Sequence, residues 1–346
     1  MGASEDRTAD VLSRARSVAC APADGRCKPA AAANPARRVG AACLAYNTGM
    51  PVLTGPRATR RQFLATAGAA AASLTFSRAE SSTAQGPPRP LRLALLADTH
   101  IPGNHADGFR GFSPAENLAK VVTQVLATPV DGALIGGDLA RLNGLPEDYA
   151  RLHELLAPMM TRMPTGLVLG NHDHRENFRR AFPAAAGTAP ALANKHASTR
   201  EAAGLRLVLL DSLLATDVTP GQLGSAQRTW LASQLAAASM PTVILVHHTL
   251  GGNDGDLTDA ERLFEVLRPH RHVKAIMFGH SHRYEVTERE GLQLINLPAA
   301  GYNFADSEPV GWVDSVWTDE GVDLTLRSIG GNQAANGQTT SVHWSR

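Results

Sequence analysis

Five polar clusters in this chain combine carboxylate, imidazole and carboxamide side chains, and each follows a short apolar run. Asp98 and His100 come after Leu91 to Ala97, and Asp138 comes after Val130 to Ile135. Asn171, His172 and Asp173 come after Thr165 to Leu169. His247 comes after Thr242 to Val246, and His280 and His282 after Val273 to Phe278. Each run reads as a strand covered on both faces. In an open parallel sheet the residues just past the carboxyl ends of the strands share one edge. Carboxylate, imidazole and amide oxygen together suit Mn, Fe, Zn, Co or Ni. The donors are too many for one ion, so two ions sharing Asp138 is the economical arrangement.

The elements that must position these groups follow from the pattern. Gly170 lets the backbone turn sharply where its strand ends. Ser113-Pro114 has the character of a helix N-cap and first residue, and Leu118, Val121, Val122, Val125 and Leu126 form a helical stripe. Further helices are expected over Pro146 to Met160, Arg175 to Phe182, from Thr219-Pro220 onward, and over Thr258 to Leu267. A strand is expected over Leu205 to Leu210. After His282 the pattern changes to short strands without helices: Tyr284–Glu288, Leu292–Asn296, Trp312–Trp317 and Val322–Arg327.

Composition narrows the chemistry. The 346 residues carry 33 Lys and Arg against 32 Asp and Glu. Up to Ala84 there are 11 basic and 5 acidic residues, so Gln85 to Arg346 is net acidic. That argues against a non-specific grip on nucleic acid, which needs phosphate-neutralising cations. The three cysteines, Cys20, Cys27 and Cys43, all precede Met50. A domain beginning later has no thiol, which excludes disulfides and Cys-ligated zinc from it.

Residues 1–58 are expected to be unstructured or to be an extension ahead of the true start, for which Met50 is a candidate. Thr59-Arg60-Arg61-Gln62-Phe63-Leu64 resembles the twin-arginine export consensus at every fixed position, and a small, mildly apolar stretch follows. The segment 59–84 therefore reads as a twin-arginine signal, with cleavage after Ala79 or Ala84. Its apolar part is too short for a permanent membrane span. The expected location is periplasmic or extracellular, and the twin-arginine export machinery is the expected partner. Residues 85–90 read as a linker, 91–329 as one domain, and the Gly-rich 330–346 as a flexible tail.

The order DxH, GD, GNH(D/E), H, GHxH resembles the calcineurin-like metallophosphoesterase superfamily. Here the five pieces are Asp98-Thr99-His100, Gly137-Asp138, Gly170-Asn171-His172-Asp173, His247 and Gly279-His280-Ser281-His282. Taken singly, DTH, GD or HH is what a surface turn also looks like. Their order, each after a strand, carries the resemblance, which extends over roughly Leu91 to Arg327. It implies an α/β fold, a four-layer α/β/β/α sandwich of two mixed sheets. It also implies that Asp98, His100 and His282 hold one divalent or trivalent metal ion, that Asn171, His247 and His280 hold a second, and that Asp138 bridges them. His172 becomes the acid or transition-state stabiliser, with Asp173 orienting it. His248 is left either to line the site or to point away.

The implied activity is hydrolysis of a phosphodiester by metal-activated hydroxide, with His172 protonating the leaving alkoxide. The alternatives are a phosphomonoesterase that scavenges phosphate and a non-catalytic metal-bearing binder. Phosphoprotein phosphatases carry GDxVDRG and GNHE, whereas this chain has Gly137-Asp138-Leu139-Ala140-Arg141 and GNHD. Purple acid phosphatases need a Tyr where Arg141 stands. The nuclease branch shares GNHD, but no basic surface signal accompanies it. Class III cyclic nucleotide phosphodiesterases and glycerophosphodiesterases resemble the chain most, through Gly170 to Arg175, Leu210-Asp211-Ser212 and Gly221 to Leu231. A proline pair that often follows HH in them is replaced by Thr249-Leu250. The resemblance thus implies a small phosphodiester without fixing which one.

Other histidines read more plainly. His270 and His272 precede their strand and so lie at the wrong end of the sheet. His153 and His174 belong to helices or their caps, and His105 sits in a loop near the first cluster. Arg175 is either a phosphate ligand or a solvated helix-start residue.

Overall fold

A computed structural model describes residues 89–186 and 192–346. The extension over 1–58, the signal segment over 59–84 and the first part of the linker lie outside the described residues.

The elements follow in chain order. β1 (Leu91–Leu96), α1 (Pro114–Ala127), β2 (Gly132–Ile135), α2 (Pro146–Arg162), β3 (Thr165–Leu167) and α3 (Arg175–Ala181) form the first run. β4 (Ser198–Ala202), β5 (Leu205–Leu209), α4 (Gly224–Ala236), β6 (Thr242–Leu245), α5 (Ala260–Leu267) and β7 (Val273–Phe278) form the second. β8 (Glu285–Arg289), β9 (Leu292–Asn296), β10 (Pro309–Trp317), β11 (Gly321–Gly331) and β12 (Thr339–His343) complete the chain. The Ser113 side chain caps α1 by accepting from the Glu116 amide, and Pro114 occupies its first turn.

Two six-stranded mixed sheets result, in the orders β12-β11-β10-β1-β2-β3 and β4-β5-β6-β7-β9-β8. β1, β2 and β3 are parallel neighbours, as are β5, β6, β7 and β9. Side chains alternate across each strand with period two. Leu91, Leu93 and Leu95 therefore point between the sheets, against Leu207, Leu245 and Met277. Ala94 and Leu96 point the other way, to Leu118 and Val121 of α1 and Leu152 of α2. Leu231 and Leu235 of α4 and Leu263, Phe264 and Leu267 of α5 cover the outer face of the second sheet. The layers are α/β/β/α, as the family resemblance implies. Among the described residues no helix is long and apolar enough to cross a membrane.

Two features depart from the sequence reading. β4 has no apolar run to announce it: Ser198 to Ala202 is a half-exposed edge strand, made by pairing antiparallel with β5 around Ala203-Gly204. The stretch 330–346 is not a flexible tail. β11 continues to Gly331, and Thr339–His343 returns as β12 beside it. Beyond β12, Trp344 stacks on buried Trp317 with ring centroids 6.1 Å apart. Buried Val342 and half-buried Trp344 both pack on the core between the sheets, and that apolar burial holds a polar, Gly-rich segment down.

Candidate metal centre

All five clusters lie just past the carboxyl ends of β1, β2, β3, β6 and β7, and backbone bonds carry the ladder beyond the strands. The amides of Asp98, His100 and Ile101 donate to the carbonyls of Gly137, Asp138 and Leu139 at 3.0, 2.8 and 3.0 Å. The two sheets are stitched together here. The His280 amide donates to the Asp98 carboxylate at 3.1 Å, and His247 Nδ1 donates to the Gly136 carbonyl at 2.8 Å.

The local backbone is strained where these side chains emerge. Asp98, His100, Asp138, His280 and His282 all have positive φ, between 45° and 70°. Left-handed conformations are unfavourable for residues with a Cβ and cluster where function demands them. Close approach then requires glycine beside them. A Cβ on Gly170 would lie 2.1 Å from Asp138 Oδ1, and one on Gly279 would lie 2.3 Å from Asp98 Oδ2.

The structure brings Asp98, His100, Asp138, Asn171, His247, His280 and His282 into one group, buried except for half-buried His280. Asp98, His100 and His282 have ligand atoms within 4.8 Å of one another, as do Asp98, Asp138 and His247. His247 Nε2 is 3.3 Å from Asn171 Oδ1 and 3.4 Å from Asp138 Oδ2. The His280 ring lies 5.1 Å from the His247 ring, with its Nε2 beside Gly255. Tautomers are fixed from behind: Nδ1 of His100 faces the Arg141 carbonyl at 3.3 Å, and Nδ1 of His282 faces the Tyr302 carbonyl at 2.6 Å. Each Nδ1–H is thereby engaged, and the Nε2 lone pairs turn inward, the usual arrangement of a ligating imidazole.

Electrostatics point the same way. Burial lowers His100 and His280 to about 4 and holds His282 well below its ordinary value, so these rings are neutral. Burial raises Asp98, and neighbouring Asp138 adds to that. Burial opposes charge on His247 as well, but Asp138 and Asp98 outweigh it and hold that ring up at about 9. Asp138 stays ionised despite burial, because His247 and His100 lower its pKa. Asp138 is thus the ionised carboxylate of the group, paired with a charged His247 and flanked by the neutral imidazoles of His100, His280 and His282. The donor set fits divalent cations.

His172 sits at the rim. Its Nδ1–H donates to the Leu142 carbonyl at 2.9 Å, and Asp217 Oδ1 lies 3.6 Å from the same nitrogen. Its amide donates to Asp138 Oδ1 at 2.9 Å. Asp173 does not orient His172. Its carboxylate accepts from the amides of Leu139, Ala140 and Gly170 at 3.1, 3.1 and 2.9 Å and from the Tyr149 hydroxyl at 2.9 Å. It therefore fastens the loop after β2 to the loop after β3. Adjacency in sequence suggested a partnership that the turn after Gly170 prevents by aiming the two side chains apart.

His248 is also settled. It lines the site, its ring 4.9 Å from that of His247 and 4.8 Å from that of His280, with both nitrogens already engaged: Nδ1 accepts from the Ser212 hydroxyl (2.7 Å) and Nε2 donates to the Thr219 carbonyl (3.0 Å). Arg175 is neither phosphate-facing nor solvated: it forks onto buried Asp211 at 2.7 and 2.9 Å. His174 caps α3, accepting from the Asn177 amide, His153 lies against Phe182, and His105 is exposed. His270 and His272 precede β7, at the far end from the centre. Sequence reasoning missed Asp217, Tyr302 and the Leu142 carbonyl. Two of these act through backbone oxygen, which any residue supplies, and Asp217 sits in the loop after β5 with no spacing signal.

Residues 91–284, more than half of the chain, match the calcineurin-like phosphoesterase family. The chain belongs to that family. It is a metallophosphoesterase, a hydrolase of phosphoric esters. Among curated relatives, a probable cyclic nucleotide phosphodiesterase of Synechococcus is 27% identical over 229 residues, covering 64% of this chain and 86% of that protein. A 3',5'-cyclic adenosine monophosphate phosphodiesterase of Pseudomonas aeruginosa is 27% identical, covering 62% of this chain and 77% of that protein. A dimetal phosphatase of Danio rerio shares the fold at a TM-score of 0.60 and 16% identity, over 75% of this chain and 100% of that one. A purple acid phosphatase from yellow lupin does so at 0.56 and 18%, over 74% and 54%. The phosphoesterase fold and the ordered donor set are thus found together.

Proposed function

We propose that this metallophosphoesterase hydrolyses a small phosphodiester at a dinuclear centre. Asp98, His100 and His282 would hold one cation, Asn171, His247 and His280 the other, and Asp138 both. The observation that carries this reading is the convergence of inward-turned Nε2 atoms on two buried carboxylates. Bound there, divalent cations supply Lewis-acid activation of the phosphoryl group and of water. The protein's own contribution is positional. Carbonyl oxygens lock the imidazoles, strained turns aim the carboxylates, and the walls of the site exclude bulk water. His172, steered by the Leu142 carbonyl and Asp217, presents Nε2 at the rim, where it donates a proton to the departing alkoxide. Such general-acid help is typically worth about 10²–10⁴-fold.

The diester preference is supported by the relatives named as cyclic nucleotide phosphodiesterases. Cyclic nucleotides are the first natural esters to try and glycerophosphodiesters the second. The Thr59 to Leu64 motif supports export by the twin-arginine route, so the enzyme would meet its ester outside the cytoplasm.

The test is hydrolysis of bis-p-nitrophenyl phosphate against p-nitrophenyl phosphate by metal-loaded protein beside His172→Ala and Asp138→Ala. Diester turnover that chelation and both substitutions abolish is expected. Preference for the monoester would transfer the assignment to phosphate scavenging. No turnover of either with both ions bound would leave a metal-bearing binder.

A further inference from the structure

An aromatic surface adjoins one side of the centre. Phe304 lies flat on His282, with ring centroids 3.9 Å apart and planes at 15°, yet 52% of it is exposed. One of its faces is thus fixed against the imidazole and the other is open. Tyr302, buried, touches His100 at 4.8 Å, His282 at 4.9 Å, Phe304 at 5.9 Å and Phe109 at 4.7 Å. Phe109 is 39% exposed and belongs to a tight turn: it exchanges backbone hydrogen bonds with Phe112 across Arg110-Gly111, both at positive φ. The Arg110–Asp306 ion pair, at 2.5 Å, ties that turn to the loop carrying Phe304.

A cation stands beside these rings. Arg141 has its guanidinium 5.5 Å from the Phe109 ring and 5.6 Å from the Tyr302 ring, and it donates to the Tyr302 hydroxyl at 3.4 Å. Among the described residues it forms no ion pair with a carboxylate, whereas Arg175 and Arg92 are both forked onto one. Its own carbonyl faces His100, so the side chain starts from the wall of the centre. Aromatic faces order a guanidinium without neutralising it, which leaves its charge for an anion.

Resting on the phosphoesterase reading above, we propose that the ester's organic part carries a flat heteroaromatic ring that stacks on the open face of Phe304, while Arg141 receives phosphate charge. That is the chemistry of a nucleotide, and it sets nucleotide esters apart from glycerol esters of the same charge. Phe304 and Arg141 are then specificity residues for this site.

The experiment compares binding of AMP and ribose 5-phosphate to the manganese-loaded full chain by calorimetry, with bound metal measured in every variant. AMP is expected to bind about tenfold more tightly, the usual scale of one base stacked on an aromatic ring. Phe304→Leu keeps a cover on His282 but offers no ring, and is expected to erase that advantage while ribose 5-phosphate binding holds. Phe304→Trp is expected to retain it. Arg141→Gln is expected to weaken both ligands alike. Equal affinity of the two ligands for the wild type, or an advantage that survives Phe304→Leu, overturns the inference and leaves the phosphoesterase reading standing. Binding of neither ligand with both ions present removes the phosphoesterase reading and the inference with it.

Discussion

His100 Nε2 and His282 Nε2 lie 3.0 Å apart. Both Nδ1–H groups are given to carbonyls and both rings are neutral, so two lone pairs face each other. A cation between them converts repulsion into coordination. Metal-free protein is therefore expected to unfold at lower temperature than loaded protein. A cation at about 100 times its dissociation constant adds about 2.7 kcal/mol. Calorimetry with and without chelator measures this, and His282→Ala is expected to lose most of the shift. An unchanged midpoint on loading would count against the pair as a cation site.

Asp173 is predicted to be a structural fastener. Replacing it with Asn leaves at least one of its three amide donors or the Tyr149 hydroxyl unpaired, at a cost of about 1–3 kcal/mol for each buried orphan. Urea unfolding should show that loss in Asp173→Asn. Diester turnover should instead fall in Asp217→Asn with stability kept, because Asp217 lies beside Nδ1 of His172 and helps to hold the ring. Lost turnover with stability kept in the Asp173 variant alone would reverse the two roles.

Arg175 and Asp211 form a buried fork, which also holds the His196 amide at 2.7 Å and the Leu213 amide at 3.0 Å. Removing the guanidinium leaves a carboxylate with no solvent exposure to Lys195 at 3.9 Å and two backbone amides, so Arg175→Ala is expected to destabilise by about 1–3 kcal/mol. KM for a diester should stay within about twofold, since the guanidinium faces away from the centre. A large rise in KM with stability intact would restore the phosphate-binding reading.

Gly170 tests how closely the loops pack. In Gly170→Ala the new Cβ would overlap Asp138 Oδ1 and its amide, with backbone on one side and His247 on the other. Asp138 must shift, and a misplacement of about 1 Å costs about 10²-fold in rate. Turnover within a few-fold of wild type would show that the exact position of Asp138 is not critical.

Asp314 governs an acid limb far from the centre. Burial raises its pKa, but hydrogen bonds from Arg92 and Arg327 more than offset that and leave it below the ordinary value of 3.8. Above about pH 4 the carboxylate is ionised both folded and unfolded, and its stabilisation is complete. As pH falls through the depressed folded value, the unfolded chain takes up the proton first and the stabilisation is lost. Asp314→Asn should lower stability at neutral pH and flatten that limb in unfolding measurements between about pH 2 and 7. An unaltered limb would mean that other carboxylates carry it.

The parallel strands were legible because runs such as Leu91 to Leu96 and Val273 to Phe278 are buried on both faces and end in polar turns. The seven converging donors were legible for the same reason, since topology places strand ends together. What escaped was held by pairing and by backbone. β4 and β12 exist through their neighbours β5 and β11, and polar, half-exposed edges carry little pattern. The supports of the centre, the carbonyls of Leu142, Tyr302 and Gly136, have no residue signature. Asp173 shows the opposite failure: its neighbour in sequence was not its partner in space.

The most direct test of the central claim is diester turnover measured against bound metal. Chelated protein would be titrated with manganese while bis-p-nitrophenyl phosphate hydrolysis and bound ion are followed together. A dinuclear centre bridged by Asp138 predicts activity that saturates at two ions per chain in the wild type, and Asp138→Asn that never reaches it. Full turnover with a single bound ion, or with none, would contradict the account.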